Sequence, residues 1–532
     1  MIFLFISIAW AQRAVGPVKV ILPDRMDVSP PLRDMVQPMQ KWNPYVQPPR
    51  EIPNRFDIRK GSQSQGSLDQ ALQTTKGNKT LGPPLVSFEG VNNVNGVLPP
   101  DTNFDVGLTH VMQMVNLSTE IWDKSGNPVL GPFPNNNFWA GFGGPCEFQN
   151  AGDPVVLYDQ LADRWVVSQF ANPVSAAAEQ CVAVSTSGDP TGTYRRFSFP
   201  TPGNDYPKLG VMEDAYYATV RNFVSLSMDA YAFERAKMIS PTGTPQLVVF
   251  SMGSLTTRDG FLPSDLDGPT PPPPGTPGIF LGQDDPNDQI VMFELFVDWN
   301  NVGNSTLVGP TNFPVAPFDS NIPPGIPQPT TTQHLDDLAF FMMHRLAFRN
   351  LGSRQALVAT HTVDVNDFVN HAGIRWYELS NPGSTYGSWT INQQGTYSPD
   401  SDHRWMPSIA MNGNGDIMVG FSVSSNTTFP SIHYTGRLAS DPLNQMTFQE
   451  GLVIAGTGAQ LHPAGRWGDY SAMTVDPSDD FTFWYTTEYI QTTGSAPWQT
   501  RIAAFQPNNL PPLVDITVTP QPGDPVIVPP GG

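Results

Sequence analysis

The chain has 532 residues, with 46 Gly and 56 Pro, only 14% charged residues and a formal net charge of −20. This composition excludes coiled coils and helical bundles, which are rich in Ala, Glu, Lys and Leu, and collagen, which needs a strict glycine period. Disorder throughout is excluded by 39% hydrophobic residues, among them 12 Trp, 14 Tyr and 31 Phe, and the acid excess argues against a nucleic-acid partner, which calls for Lys/Arg patches.

The first residues, Met1 to Ala11, are apolar and end in Ala9-Trp10-Ala11, an A-x-A cleavage pattern. They predict a signal peptide over 1–11, short of a basic start, and a secreted, extracellular chain beginning near Gln12. The alternative is a buried N-terminal strand. The stretch is shorter than the roughly 20 residues that span a bilayer, and no later run is long and apolar enough, so no membrane span is expected. Residues 12–83 are rich in Pro, Gln and Asn and read as a leader or extended arm.

From 84 to 506 short β-branched and aromatic runs alternate with turn clusters, as strands do. Examples are Pro154 to Tyr158, Arg164 to Phe170, Cys181 to Ser185 and Asp416 to Ser422. One stretch, 334–350, reads as helix or strand. The two cysteines, Cys146 and Cys181, predict one disulfide in an exported chain; two separate buried thiols are the alternative, and a metal site lacks a C-x-x-C or His pair.

An internal repeat carries the fold prediction. A polar loop with Asp leads into an apolar strand, a turn and a second strand. The units start at Asp101, Asp153, Asp205, Asp267, Asp336, Asp402 and Asp469, at intervals of 52, 52, 62, 69, 66 and 67 residues. Four-stranded propeller blades take roughly 40–50 residues before insertions. The prediction is an all-β chain with a single β-propeller of seven blades over 84–506, the strand Leu85 to Phe88 completing the last blade. A β-sandwich or jelly roll also gives alternating strands but not this repeated double-strand unit. Residues 507–532 are Pro-rich and read as a linker and the opening of a further β-domain.

The strings Pro99 to Gly107, Gly143 to Glu147, Leu157 to Trp165, Ala183 to Gly192 and Arg466 to Ser471 resemble those of large secreted bacterial β-propeller proteins of unassigned activity, over roughly 85–506. That resemblance implies a propeller, often followed by further β-domains. Phe104 departs from it, standing where Gly is expected. More distantly the repeats are similar to sialidase-type propellers: Ser187-Gly-Asp-Pro-Thr-Gly-Thr-Tyr194 is similar to an Asp-box turn with one residue inserted. That likeness implies architecture and not catalysis.

Three constellations bear on chemistry. The repeated Asp residues predict a carboxylate-rich face, which needs pairing, protons or a cation; each Asp as a cap of its own loop is the competing reading. Asp101, Asn103 and Asp105 have the D-x-N-x-D spacing of a calcium loop, although Met112 stands where its final Glu belongs, so a structural Ca²⁺ and a plain blade-entry loop both stay open. Arg-Trp pairs recur, and in a sialidase-like site Arg404, Arg466, Asp469, Tyr470 and Glu488 would grip and attack a sugar; repetition itself favours inter-blade packing. His403, between Asp402 and Arg404, is the best-placed histidine for a general base or metal ligand, while His361, His371 and His462 read as surface or satisfied side chains. Metalloprotease, P-loop, dinucleotide and nucleophile-elbow motifs are absent from the sequence. The functional expectation is an extracellular module binding a polysaccharide or a surface protein. The alternative is a carbohydrate-active enzyme, a glycoside hydrolase or polysaccharide lyase with a sialidase-like site on one propeller face.

Overall fold

The structure, a computed structural model, describes residues 14–37, 39, 42, 47–52, 69–366 and 369–507. The signal peptide and nearly all of the Pro-rich tail lie outside the described residues. The rest is almost entirely strand, and strand pairing groups it into successive four-stranded antiparallel units. The first strand of each unit is innermost: β1 (Asn103–Val106), β2 (Val155–Asp159), β3 (Asn204–Val211), β4 (Leu262–Asp267), β5 (Met343–Asn350), β6 (His403–Met411) and β7 (Ala472–Val475). Each adjoins the next, and β7 returns to β1, so the inner strands form a closed ring. This is a β-propeller, whose radial repetition leaves only short, protected edges on the innermost strands.

The ring closes by an exchange between chain ends. Val86–Asn92, from before the first unit, pairs with Trp498–Phe505 as the outer strand of the last one. The arm does more than precede the propeller. Ala14–Val15, Lys19–Ile21 and Arg25–Val28 add outer strands to the fourth, third and second units in turn. Leu72–Gln73 extends the fifth, and Lys79 bridges to Phe448 in the sixth. The stretch that read as helix or strand contains β5, whose residues Met343 to Arg349 are buried.

Most inner strands splay, and side chains carry part of their lateral pairing. Asn103 Oδ1 accepts the Val156 amide at 2.7 Å, Asp105 Oδ2 the Tyr158 amide at 2.7 Å, Asp265 Oδ1 the Val211 amide at 2.8 Å and Ser408 Oγ the Met473 amide at 2.9 Å. These buried N–H groups have to be paired, because an orphaned donor costs about 1–3 kcal/mol. Only β4 and β5 pair directly, in parallel. Where β3 passes β4, a Cβ on Gly210 would lie 2.3 Å from the Ser264 carbonyl oxygen, so the approach requires glycine.

Cys146 and Cys181 form a disulfide with a Cα–Cα distance of 5.8 Å, tying the turn after the first unit to the third strand of the second. A bridge over a separation of 35 residues restricts the unfolded chain, so Cys146→Ser with Cys181→Ser is expected to lower stability by about 3–4 kcal/mol. Urea unfolding of the double variant measures this. A loss below about 1 kcal/mol would show that the bridge restricts little.

Candidate functional site

The inner strands bring a polar cluster to their starting ends. Lys208, on β3, is buried with its Nζ 3.3 Å from the Tyr206 ring centre and 4.1 Å from that of Tyr470, a cation held on two aromatic faces. Asp153, Asp101, Asp469 and Asp205 surround it; burial drags its ammonium down to about 8 although all four acids pull the other way. Asn116 links two of the entry loops, donating from Nδ2 to Asp101 Oδ2 at 2.7 Å and accepting the Asp153 amide at 3.0 Å. Asp101 Oδ1 accepts the Asp469 amide at 2.8 Å, which joins the first entry loop to the last.

Arg466 is the second cation here. It donates to Asp336 Oδ2 at 2.9 Å, to Asp469 Oδ1 at 2.6 Å and to the Ile52 carbonyl at 2.8 Å. Tyr470 donates to the Pro154 carbonyl at 3.0 Å. Glu488 accepts the Gly468 amide through Oε1, and its buried Oε2 has no hydrogen-bond partner among the described residues. Burial, with the charges of Asp336, Asp101 and Asp469 added, pushes the Glu488 carboxyl well above its ordinary range. Burial also pushes Asp101 up to about 8, Asp469 adding to it. Burial therefore favours the neutral form of Glu488 and Asp101.

Of the residues singled out in the sequence, Arg466, Asp469, Tyr470 and Glu488 come together here with Asp101, and all five are buried. His403 and Arg404 lie apart. Arg404 pairs with Asp400 at 2.8 Å and Glu450 at 2.6 Å. The His403 ring lies 4.7 Å from that of His371 and accepts the Ala372 amide; burial, then His371, brings it down to about 4. His361 is satisfied by Tyr377 and its own neighbour's carbonyl.

The seven repeated Asp residues do not form one ring. Asp101, Asp153, Asp205 and Asp469 converge on Lys208. Asp267 ends its inner strand and pairs with Arg345 at 2.8 Å, Asp336 pairs with Arg466, and Asp402 accepts the Thr428 hydroxyl. Asn103 and Asp105 lie in strand β1 and not in a loop. Their side-chain oxygens accept the Val156, Val106 and Tyr158 amides. Among the described residues no group of three or more His, Cys, Asp or Glu side chains is arranged to hold a metal ion. No described helix is long and apolar enough to cross a membrane.

An open cleft lies beside the cluster. It has a volume of about 420 Å³ and is lined by residues 320–325 and 333–337, with Phe340 and Ala464. The long insertion before β5 builds it. An Ile326–Leu335 bridge closes the insertion on itself, and the Asp336 amide donates to the Gly465 carbonyl at 2.9 Å. His334 Nδ1 lies 3.1 Å from the Gly325 carbonyl, and Asp337 accepts the Ala339 amide at 3.0 Å. Burial raises Asp336 to about 7 and Asp337 to about 6. Asp336 is thus both a wall of the cleft and the partner of buried Arg466.

Sequence reasoning missed Lys208, His344 and the cleft. Lys208 is a lone base opening the apolar run to Val211, which was a usable signal. His344 opposes Asn103 Nδ2 at 3.0 Å in the buried ring and had no spacing to mark it. The cleft's signal was the longest interval in the repeat, the 69 residues from Asp267 to Asp336.

No family model matches the chain, and no curated protein matches its sequence. Similar solved structures include a polysaccharide lyase of family PL25, an ulvan lyase, at 10% identity and a TM-score of 0.28, covering 79% of this chain and 80% of that one. A GH43 endo-arabinanase from Bacillus licheniformis, at 9% identity and a TM-score of 0.25, covers 53% and 92%. The WD40 domain of SCAP from fission yeast, at 9% identity and a TM-score of 0.31, covers 75% and 82%. At these scores the likenesses carry no assignment of activity.

Proposed function

We propose that this protein is a secreted β-propeller that acts as an extracellular binding module and takes a glycan in the cleft at 320–340. The observation that carries this reading is the contrast between cleft and cluster. The cleft offers Ser320, Asn321, Gln333, His334 and Asp337 beside Phe340 and two prolines. Hydroxyls of a sugar match the polar groups, and its apolar face matches the ring. Arg466, Tyr470 and Glu488, which a sialidase-like reaction needs, are buried behind that cleft. The disulfide suits an oxidising compartment.

Calorimetric titration of the purified protein with neutral and anionic polysaccharides tests the reading. The expected result is binding to at least one, weakened about 10-fold, or 1.4 kcal/mol, by His334→Ala or Asp337→Asn. Binding that neither variant alters, or none at all, removes the assignment.

One observation favours a second reading, a carbohydrate-active enzyme. Two carboxyls with raised proton affinity, Asp336 and Asp337, line the same cleft, as a general acid requires. Release of reducing ends or absorbance at 235 nm, lost in Asp337→Asn, would distinguish hydrolysis or elimination from binding alone.

A further inference from the structure

The buried cluster lies under a thin piece of the N-terminal arm. Arg50–Glu51 runs parallel to Val97–Leu98, an edge held by the Arg50 amide on the Gly96 carbonyl at 2.7 Å and the Ile52 amide on the Leu98 carbonyl at 2.8 Å. Ile52 then reaches the cluster. Its carbonyl takes the Arg466 guanidinium at 2.8 Å, and its Cδ1 lies 3.5 Å from where a Cβ on Gly152 would stand, beside the Asn116 amide group. Trp42 anchors the other side: its amide donates to the Val94 carbonyl, its indole N–H to the Gln47 carbonyl, and its ring lies over Gly96.

We infer that residues 47–52 form a removable strap over a latent polar site, and that peeling it away uncovers the guanidinium of Arg466. Among the described residues the attachment is one short parallel pair, one packed isoleucine and the Trp42 contacts. Pro48 and Pro49 have no amide to donate, and Arg50 and Glu51 are exposed. The inner strands beneath are buried, each paired with the second strand of its unit and tied sideways by side-chain hydrogen bonds. Segments with few buried contacts and exposed backbone bonds open locally, well below the energy of global unfolding. The strap is also the member of the site most easily replaced. Among the described residues, Arg466 is fixed on two of its three sides by Asp336 and Asp469, and on the third only by the Ile52 carbonyl, which a ligand oxygen can replace. Asp336, which pairs with Arg466, already forms the cleft wall, so the uncovered guanidinium lies beside the cleft. The inference builds on the cleft as the binding site but fails or stands separately, because its test uses no ligand.

Hydrogen–deuterium exchange on the intact protein is the first measurement. The amides of Arg50 and Ile52 are expected to exchange at least about 10-fold faster than those of Val156 and Tyr158, through local opening. The second measurement is labelling by phenylglyoxal, read by mass spectrometry. Arg466 is expected to be protected in the native protein and labelled several-fold more in Ile52→Pro, which deletes the bond to Leu98, while Arg345 stays unlabelled in both. Trp42→Ala serves the same purpose should Ile52→Pro fail to fold. Strap amides that exchange only together with the inner strands, or Arg466 labelling that neither variant raises, overturn the inference.

Discussion

Replacing Arg345 by Met is expected to cost about 3–5 kcal/mol of stability, as removing one partner from a buried ion network does. Arg345 donates to Asp265 Oδ2 at 2.7 Å and to both Asp267 oxygens at 2.8 Å, with all three side chains nearly inaccessible. The other Asp265 oxygen accepts the Val211 amide, so the guanidinium on β5 orders a carboxylate that holds β3 to β4. Its removal leaves two buried carboxyls without a counter-charge in the centre of the ring. Methionine fills most of the volume, so the loss reports on charge and hydrogen bonding more than on a cavity. Asp267→Asn added to Arg345→Met is expected to cost less than the two changes summed, because the partners are coupled. Urea unfolding of the single and double variants measures both quantities; a loss below about 1 kcal/mol for Arg345→Met would mean that the network is not what orders the ring.

The same network shows where the sequence is readable and where it is not. The repeat is legible because each unit must present an apolar double strand, and near-continuous burial writes short β-branched and aromatic runs into Arg164–Ala171 and Ile417–Ser424. Closure through residues 86–92 is legible too, since a ring of units has one outer position left to fill. The phase of the acids is not legible. Asp101 and Asp153 stand at the left-handed residue that leads into the inner strand, at φ 46° and 45°. In the third and sixth units Tyr206 and Met406 adopt that conformation, at φ 50° and 52°. Asp205 therefore falls one residue earlier than Asp153, and Asp469 likewise immediately precedes Tyr470. Those four still converge on Lys208, whereas Asp267 ends its strand beside Arg345 and Asp336 and Asp402 pair elsewhere, so the recurring string does not fix where its carboxylate goes. Asn103 and Asp105 show the same limit from the other side. Their alternate spacing suits a metal loop and equally suits one face of a strand, and the neighbouring strand's unpaired amides select the strand. Lys208 was hidden because its partners come from four units, and long-range convergence of single residues leaves no local pattern.

Stability is expected to peak near pH 5 and to fall as the pH rises to 8. Asp105 and Asp336 are raised to about 7 and Asp101 to about 8, each chiefly by burial, and Asp153 and Glu488 stand well above their ordinary range for the same reason. Between the unfolded carboxyl range and these values the native chain keeps protons that the unfolded chain has released. Stability then falls with rising pH, by about 1.4 kcal/mol per pH unit for each proton retained. Three histidines, two buried and one half-buried, act in the opposite sense. His344 and His361 are held low by burial, and His403 by burial and His371, so up to about pH 6.5 the unfolded chain binds protons there that the native chain does not. Above pH 6.5 that opposition ends, and the decline is expected to be steepest between there and pH 8. Lys208, lowered to about 8, favours the unfolded chain below that value and regains stability only above it. On the acid side Glu450 is lowered to about 2 by His433 and Arg404 against its burial; its contribution is complete above about pH 4.5 and is lost as the pH falls toward 2. Urea midpoints followed by circular dichroism between pH 4 and 9 check this profile. A midpoint that is flat or rising from pH 6.5 to 8 would mean that the carboxyls around Lys208 are ionised in the folded protein, and that the cluster beneath the strap is a charged site and not a protonated one.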